Sequence, residues 1–237
     1  MKIAIMQPYL FPYIGYFSLI KNTNHFVFFD TPQYIRKGWI NRNRILAGNG
    51  KDIYFTVPIE KCPRETAIKD VKIAFNDNWK EKLIGQLTIY KKRAPYYVQV
   101  MELIQNIINQ DKKYISELAI DSIIKTCDFL GMNIQYDIYS QMKMPPFEVK
   151  EPDEWALYIT KEMGYDTYVN PPGGKAFFDR HKYEQANIEL QFLTQEIQSY
   201  NQRVKEFIPG LSIIDIMMFC APSEIIKMMN SFIIENG

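Results

Sequence analysis

Four stretches of this chain gather side chains able to grip a small ligand. The first is Gln7-Pro-Tyr-Leu-Phe-Pro-Tyr-Ile-Gly-Tyr-Phe17, where Gln7, Tyr9, Tyr13 and Tyr16 stand close together around Pro12 and Gly15. A loop that only turns does not need so many hydrogen-bonding groups. The second runs through Asp30, Gln33, Arg36, Lys37, Trp39, Asn41, Arg42, Asn43 and Arg44. Arginine can hold a phosphate by two parallel bonds, and asparagine can read hydroxyl or amide edges. The segment therefore suits a diphosphate or carboxylate ligand, although a charge run is also the ordinary dress of a solvated loop. The third is Asn170-Pro-Pro-Gly-Gly-Lys175. Gly173 and Gly174 allow close backbone approach, their N–H groups can cradle an anion, and Lys175 adds a charge. It lacks the spacing of a Walker A loop and by itself reads as a plain turn, gaining a binding reading as a third strand-end loop beside the other two. The fourth is Ser212-Ile-Ile-Asp215. It reads as a capping box opening a helix, or as a buried carboxylate aimed at the site.

Strands must bring these stretches together. Residues 2–6 read as a short buried strand, and two prolines then bar both a longer strand and an immediate helix. Phe17, Leu19 and Ile20 open a helical pattern. Buried strands are expected at 25–29 and 52–57, a one-faced strand at 68–75, and further strands at 133–139, 167–169 and 189–193. Helical spacing fills 76–130, with Gly131 as its stop, and recurs at 154–163, 179–186, 213–220 and 223–234. Strands alternating with helices imply an α/β fold, a mostly parallel sheet with helices on both faces. The helical stretch about 76–130 reads as an insertion into one domain spanning 1–237. The first three candidate stretches each follow a strand, so they should converge at one carboxyl edge, where open α/β sheets bind ligands.

Composition narrows the function classes. A net charge of +1 gives no electrostatic case for DNA or a membrane surface. No apolar run approaches a membrane span and no signal peptide precedes Met1, so the expected compartment is the cytoplasm. The three cysteines, Cys62, Cys127 and Cys220, are scattered and form neither a disulfide framework nor a zinc site. His25 and His181 stand in no nucleophile–histidine motif, and no metal-ligand spacing occurs. No cofactor is identified. The sixteen tyrosines suit a sugar or nucleotide pocket as well as ordinary packing.

Taken together, these residues resemble the WbqC-like family. The likeness is carried by Gln7 to Phe17, by a strand ending in Asp30 with Gln33 after it, and by Trp39-x-Asn41-Arg42-Asn43. It continues through Thr56-Val57-Pro58 with Lys61, Ala94-Pro95-Tyr96-Tyr97, Leu130-Gly131, Tyr200-x-Gln202 and Leu211-Ser212-Ile213-Ile214-Asp215. One departure is 168–174, where a pattern closer to Tyr-Leu-Ser-Gly is expected. The resemblance implies a place in O-antigen or other surface-polysaccharide biosynthesis, as a transferase moving an acyl or aminoacyl group to the amine of a nucleotide-linked amino sugar. Its partners would be that nucleotide sugar and a carrier of the activated group. In that reading Arg42, Arg44 and Lys37 hold the diphosphate, and Gln7, Tyr9, Tyr16 and Asn41 bind sugar and base. Asp30 serves as acid/base, because taking a proton from an attacking ammonium needs a carboxylate or histidine.

The first strand, loop and helix also resemble, more remotely, the first βα unit of HIGH-motif nucleotidyltransferases. Pro12-Tyr13-Ile14-Gly15-Tyr16 stands where that motif carries its two histidines, leaving Tyr16 as an uncharged phosphate donor. This implies an alternative, a nucleotidyltransferase-like enzyme with a modified first loop. A third alternative is a non-catalytic ligand-binding or scaffold protein of the same pathway.

Overall fold

Short strands buried on both faces build the central sheet. A computed structural model of the chain describes residues 1–75 and 78–237. Strands β1 (Lys2–Met6), β2 (His25–Phe28), β5 (Tyr136–Ile138), β6 (Thr167–Asn170) and β7 (Glu189–Gln195) run parallel, and β8 (Phe232–Asn236) closes the edge antiparallel to β7. Ala4, Phe26, Phe28 and Val169 point into one hydrophobic cluster, and Ile3, Ile5, Val27 and Tyr168 into the other. This is the side-chain alternation of a strand buried on both faces.

The strand order is β5-β2-β1-β6-β7-β8. Counting the parallel strands alone in chain order, it is 3-2-1-4-5, a doubly wound arrangement that reverses between β1 and β6. The loops leaving those two strands therefore diverge and open a crevice at their carboxyl ends.

Helices cover both faces. Against the larger cluster lie α1 (Ile14–Lys21), α2 (Trp79–Leu87), α3 (Tyr97–Ile108), α4 (Ile115–Phe129), α7 (Ile213–Phe219) and α8 (Pro222–Met228). Against the smaller lie α5 (Glu154–Glu162) and α6 (Arg180–Gln185). Gly131 and Gly164 follow α4 and α5 at φ 72° and 73°, the left-handed conformation that ends a helix most easily with glycine. Among the described residues no helix is long and apolar enough to cross a membrane.

Several expected elements differ. Residues 42–46, read as part of a basic loop, form β3 (Arg42–Leu46), which pairs antiparallel with β4 (Asp52–Thr56). This hairpin is a separate two-stranded sheet. Four of the five β4 residues are exposed, so the strand is not the buried sheet member expected at 52–57. Residues 68–75 form no strand. Their backbone groups are taken by loops, with Ile68 N–H donating to Pro32, Lys69 N–H to Asp30 and Ile73 N–H to Lys113. The expected helix 223–234 stops after Met228 and gives way to β8. The expected helical stretch 76–130 is α2, α3 and α4 with their connections, its first two positions lying outside the described residues.

Candidate functional site

The loop after β1 is strapped down at almost every residue. Leu10 N–H donates to Trp39 O (3.1 Å), and Phe11 N–H to Ser122 Oγ (3.0 Å). The Asn43 amide donates to Leu10 O (3.1 Å) and Phe11 O (2.8 Å), and Ser212 Oγ donates to Phe11 O (2.7 Å). Ile213 N–H donates to Pro12 O (2.9 Å), and Tyr16 OH to Gln7 O (2.9 Å). Phe11 sits at φ 42°, a left-handed conformation that a bulky residue adopts only when its surroundings force it. Enforced backbone geometry of this kind gathers at binding sites.

Two contiguous cavities open at the β1–β6 reversal. The first, about 470 Å³, is walled by Tyr9, Pro12, Tyr13 and Gly15 of the first loop, by Trp39, Asn43 and Arg44, and by Gly173 and Gly174. The three stretches expected at one sheet edge thus meet here. The second, about 670 Å³, is walled largely by aromatic side chains, among them Phe29, Tyr139, Trp155, Tyr168, Phe177 and Phe178, with the Gln7 amide alongside. The two cavities share Met6, Tyr9, Asn170 and Gly174. Both fall in the size range of small-ligand sites. Among the described residues Arg44 is the one ionic side chain in their walls.

Arg44 is held from two sides. Its guanidinium reaches Asp52 at 3.3 Å and donates to Gly210 O at 3.3 Å, while the buried Nε has no hydrogen-bond partner. Arg42 shares the solvent-side face of β3 with Arg44, but its guanidinium stacks 4.5 Å above the Tyr54 ring and donates to Lys37 O and Gly38 O. Lys37 is exposed, and Arg36 donates to Cys62 O. The four cations, adjacent in sequence, therefore part company, and Arg44 alone walls the first cavity.

Other expected site residues are occupied within the fold. Asn41 is buried, accepting from Tyr34 OH (2.7 Å) and donating to Val57 O (2.8 Å). Gln33 donates to Arg64 O away from both cavities. Lys175 pairs with Glu235. Gly174 N–H is spent on Pro171 O (3.3 Å), so this amide is not left for an anion. Gly174 instead permits close packing, since a Cβ there would stand 2.4 Å from the Asn170 amide nitrogen. Gly15 is similar, with the Tyr13 ring 2.5 Å from such a Cβ. Tyr16 is buried, and burial pushes its hydroxyl well above the ordinary tyrosine range. That hydroxyl is the strap on Gln7 O.

Asp215 lies in the first turn of α7 and is fully buried. Its carboxylate accepts from Tyr90 OH (2.6 Å), Tyr200 OH (2.6 Å) and Gln202 Nε2 (2.9 Å). Ser212 does cap α7, its Oγ accepting from Ile214 N–H, but Ser212 N–H goes to Arg44 O, so the box is not reciprocal. Burial raises the Asp215 carboxyl above its ordinary range, opposed by the three hydrogen bonds.

Asp30 is 3% exposed, and both oxygens are engaged by Ser140, which donates from N–H (3.0 Å) and Oγ (2.6 Å). It pairs with neither Arg36 nor an amide of its own loop. Ser140 follows β5, so this contact ties the ends of two parallel strands. Ser140→Ala removes the hydroxyl donor to a buried carboxylate. It is expected to lower stability by about 1–3 kcal/mol, read from urea unfolding. An unchanged midpoint would show that Asp30 is not held this way.

Tyr139, Trp155, Phe177, Phe178, Ile197 and Gly210 were not expected at the site. Trp155, one of only three tryptophans, and the Phe177-Phe178 pair after the glycine loop were the signals available. Their contribution depends on α5 and the post-β6 loop folding back over the sheet edge, which residue spacing does not convey.

An uncharacterised protein of Mycobacterium tuberculosis, Rv1507c, is 23% identical over 219 residues, covering 91% of this chain and 92% of its own length. No solved structure matches. The profile of the WbqC-like protein family runs from residue 7, at the head of the strapped loop, to residue 227 in α8, and the chain belongs to that family.

Proposed function

We propose that the protein binds a nucleotide-linked amino sugar in the Arg44 cavity, and that in surface-polysaccharide assembly it directs an acyl or aminoacyl group onto the sugar amine. One observation carries the binding reading. Arg44, its side chain 29% exposed, is among the described residues the one ionic side chain in the wall of a cavity otherwise lined mainly by aromatic rings, prolines, glycines and the amides of Asn43 and Asn170. A guanidinium N–H that reaches a phosphate oxygen of the ligand makes a charge-assisted bond worth about 1.5–3 kcal/mol. Tyr9, Tyr13 and Trp39 offer ring faces for a base or sugar. The polysaccharide setting rests on the context the family implies.

Calorimetric titration with nucleotide sugars tests this. Arg44→Gln is expected to weaken binding by roughly 1.5–3 kcal/mol, the loss of a charge-assisted bond. Arg42→Ala should leave affinity nearly unchanged, because that guanidinium is engaged on Tyr54 and two carbonyls. Equal affinity in Arg44→Gln and the parent protein, or no binding of any nucleotide sugar, overturns the reading.

A second reading, a binding protein without turnover, is favoured by one observation. Among the described residues neither cavity has a carboxylate, histidine, lysine or cysteine in its wall. Turnover of an activated acyl donor with an amino-sugar nucleotide separates the two, and Asp30→Asn then asks whether Asp30 supplies the base. A catalytic base predicts product formation falling about a hundredfold with affinity kept. A structural Asp30 predicts stability and affinity falling together. Release of pyrophosphate from a nucleoside triphosphate would instead support the nucleotidyltransferase-like alternative.

A further inference from the structure

The second cavity is left without an occupant by a nucleotide sugar seated at Arg44. Among the described residues its walls contain no ionic side chain. Ile35 and Phe177, 59% and 52% exposed, stand among those walls as large apolar groups open to solvent. The cavity meets the Arg44 cavity along Met6, Tyr9, Asn170 and Gly174, so occupants of the two would touch there. Resting on the functional reading above, we propose that the aromatic cavity binds the acyl donor. The donor is a neutral acyl thioester, held beside the nucleotide sugar in a ternary complex and consumed by direct attack.

The chemistry follows from the walls. The sugar amine, as its free base, attacks the thioester carbonyl carbon at the shared wall. A C–N bond forms and the C–S bond breaks. The sulfur leaves as thiolate and takes up the proton released by the nitrogen, giving amide and thiol. Among the described residues the walls hold no cysteine and no histidine-paired hydroxyl, so the acyl group passes to the amine without resting on the enzyme. The same walls select the acyl group. An aminoacyl ammonium would be desolvated here with no carboxylate to meet it, whereas a neutral acyl chain would bury its apolar surface against the rings.

Each cavity carries its own tryptophan, Trp39 in the first and Trp155 in the second. The third, Trp79, lies in the inserted helices. Fluorescence titration of the full chain, with Trp155→Phe and Trp39→Phe isolating the two signals, tests the assignment. The probes are UDP-linked N-acetylglucosamine, whose blocked amine cannot attack, and S-butanoyl-N-acetylcysteamine. The sugar nucleotide is expected to change the Trp39 signal only, and the thioester the Trp155 signal only. Each ligand should still saturate its own signal when the other is saturating, with a changed dissociation constant allowed because the two occupants touch. The glycyl thioester should bind about tenfold more weakly than the butanoyl one. Mutual exclusion of the two ligands, or a sugar nucleotide that also moves the Trp155 signal, overturns the proposal. A thioester that leaves Trp155 unmoved while the sugar nucleotide binds does so too, and the functional reading survives it. Trp155 responding to the thioester with no nucleotide sugar bound supports the donor cavity and overturns the functional reading. If Trp155→Phe does not fold, equilibrium dialysis of the parent protein with both labelled probes decides between simultaneous and exclusive binding.

Discussion

Asp215→Ala is expected to destabilise the protein by about 3–5 kcal/mol, since it strips a buried acceptor from three donors at once. Tyr90 OH, Tyr200 OH and Gln202 Nε2 all converge on this carboxylate. The damage should reach the site. Tyr90 OH also accepts from Leu46 N–H at the end of β3, two residues beyond Arg44. Gln202 clamps both backbone groups of Ile208, two residues before Gly210, whose carbonyl receives the Arg44 guanidinium. The carboxylate therefore fixes both sides of the arginine. Urea unfolding measures the loss, and a destabilisation below about 1 kcal/mol, the worth of one ordinary hydrogen bond, would mean that the three donors find other acceptors.

The same group gives a signed pH dependence. Burial raises the folded carboxyl, so the folded state binds the Asp215 proton more tightly than the unfolded state does. Its contribution is then most favourable below the unfolded value of about 3.9. It diminishes as pH rises toward and through the raised folded value, and is constant above it. The stability difference between the parent protein and Asp215→Asn isolates this term from the other titrating groups. It should shift against the parent as pH increases. A difference that moves the other way would show that the hydrogen bonds, which favour the charged form, outweigh burial.

Much of the arrangement was legible because local rules and burial agree. The run Lys2–Met6 followed by two prolines allows little except a strand and a turn, and the glycines at 131 and 164 end helices where left-handed φ is required. Convergence of the loops after β1 and β6 followed from strand alternation alone. The misses share one cause, short segments whose partners are distant in sequence. Arg42–Leu46 begins with three polar residues and becomes a strand because β4 pairs with it. Phe232–Asn236 continues an apolar run that fits helix or strand, and β7 decides the matter. Residues 68–75 alternate like a strand, yet no neighbouring strand lies alongside them. At the site, sequence adjacency misled. Arg36, Lys37, Arg42 and Arg44 look like one cluster, but Arg42 is drawn onto the Tyr54 ring and the preceding loop turns outward, so of the four only Arg44 reaches the cavity.

Asn43→Ala should have the second large effect, acting on stability and binding together. Asn43 faces inward from β3, 4% exposed, between the two arginines that face outward. Its amide holds the carbonyls of Leu10 and Phe11, and its Oδ1 accepts from Arg44 N–H. Removing it leaves buried backbone groups short of partners at the point where Phe11 is held in a left-handed conformation. The lost bonds are worth about 2–3 kcal/mol. The strain at Phe11, of order 1–3 kcal/mol, then favours relaxation of the loop. Tyr9 and Tyr13, which wall the cavity on either side of Phe11, would move with it. Nucleotide-sugar affinity should therefore fall about tenfold or more, although a well-placed Asn43 need not touch the ligand. Asn43→Asp separates hydrogen bonding from packing. It keeps the volume but turns a donor into a second acceptor facing two carbonyls, so it should be at least as damaging as alanine. Paired urea unfolding and titration of both variants would decide. If the aspartate variant kept parent stability and affinity, the loop would owe its conformation to packing rather than to the Asn43 amide.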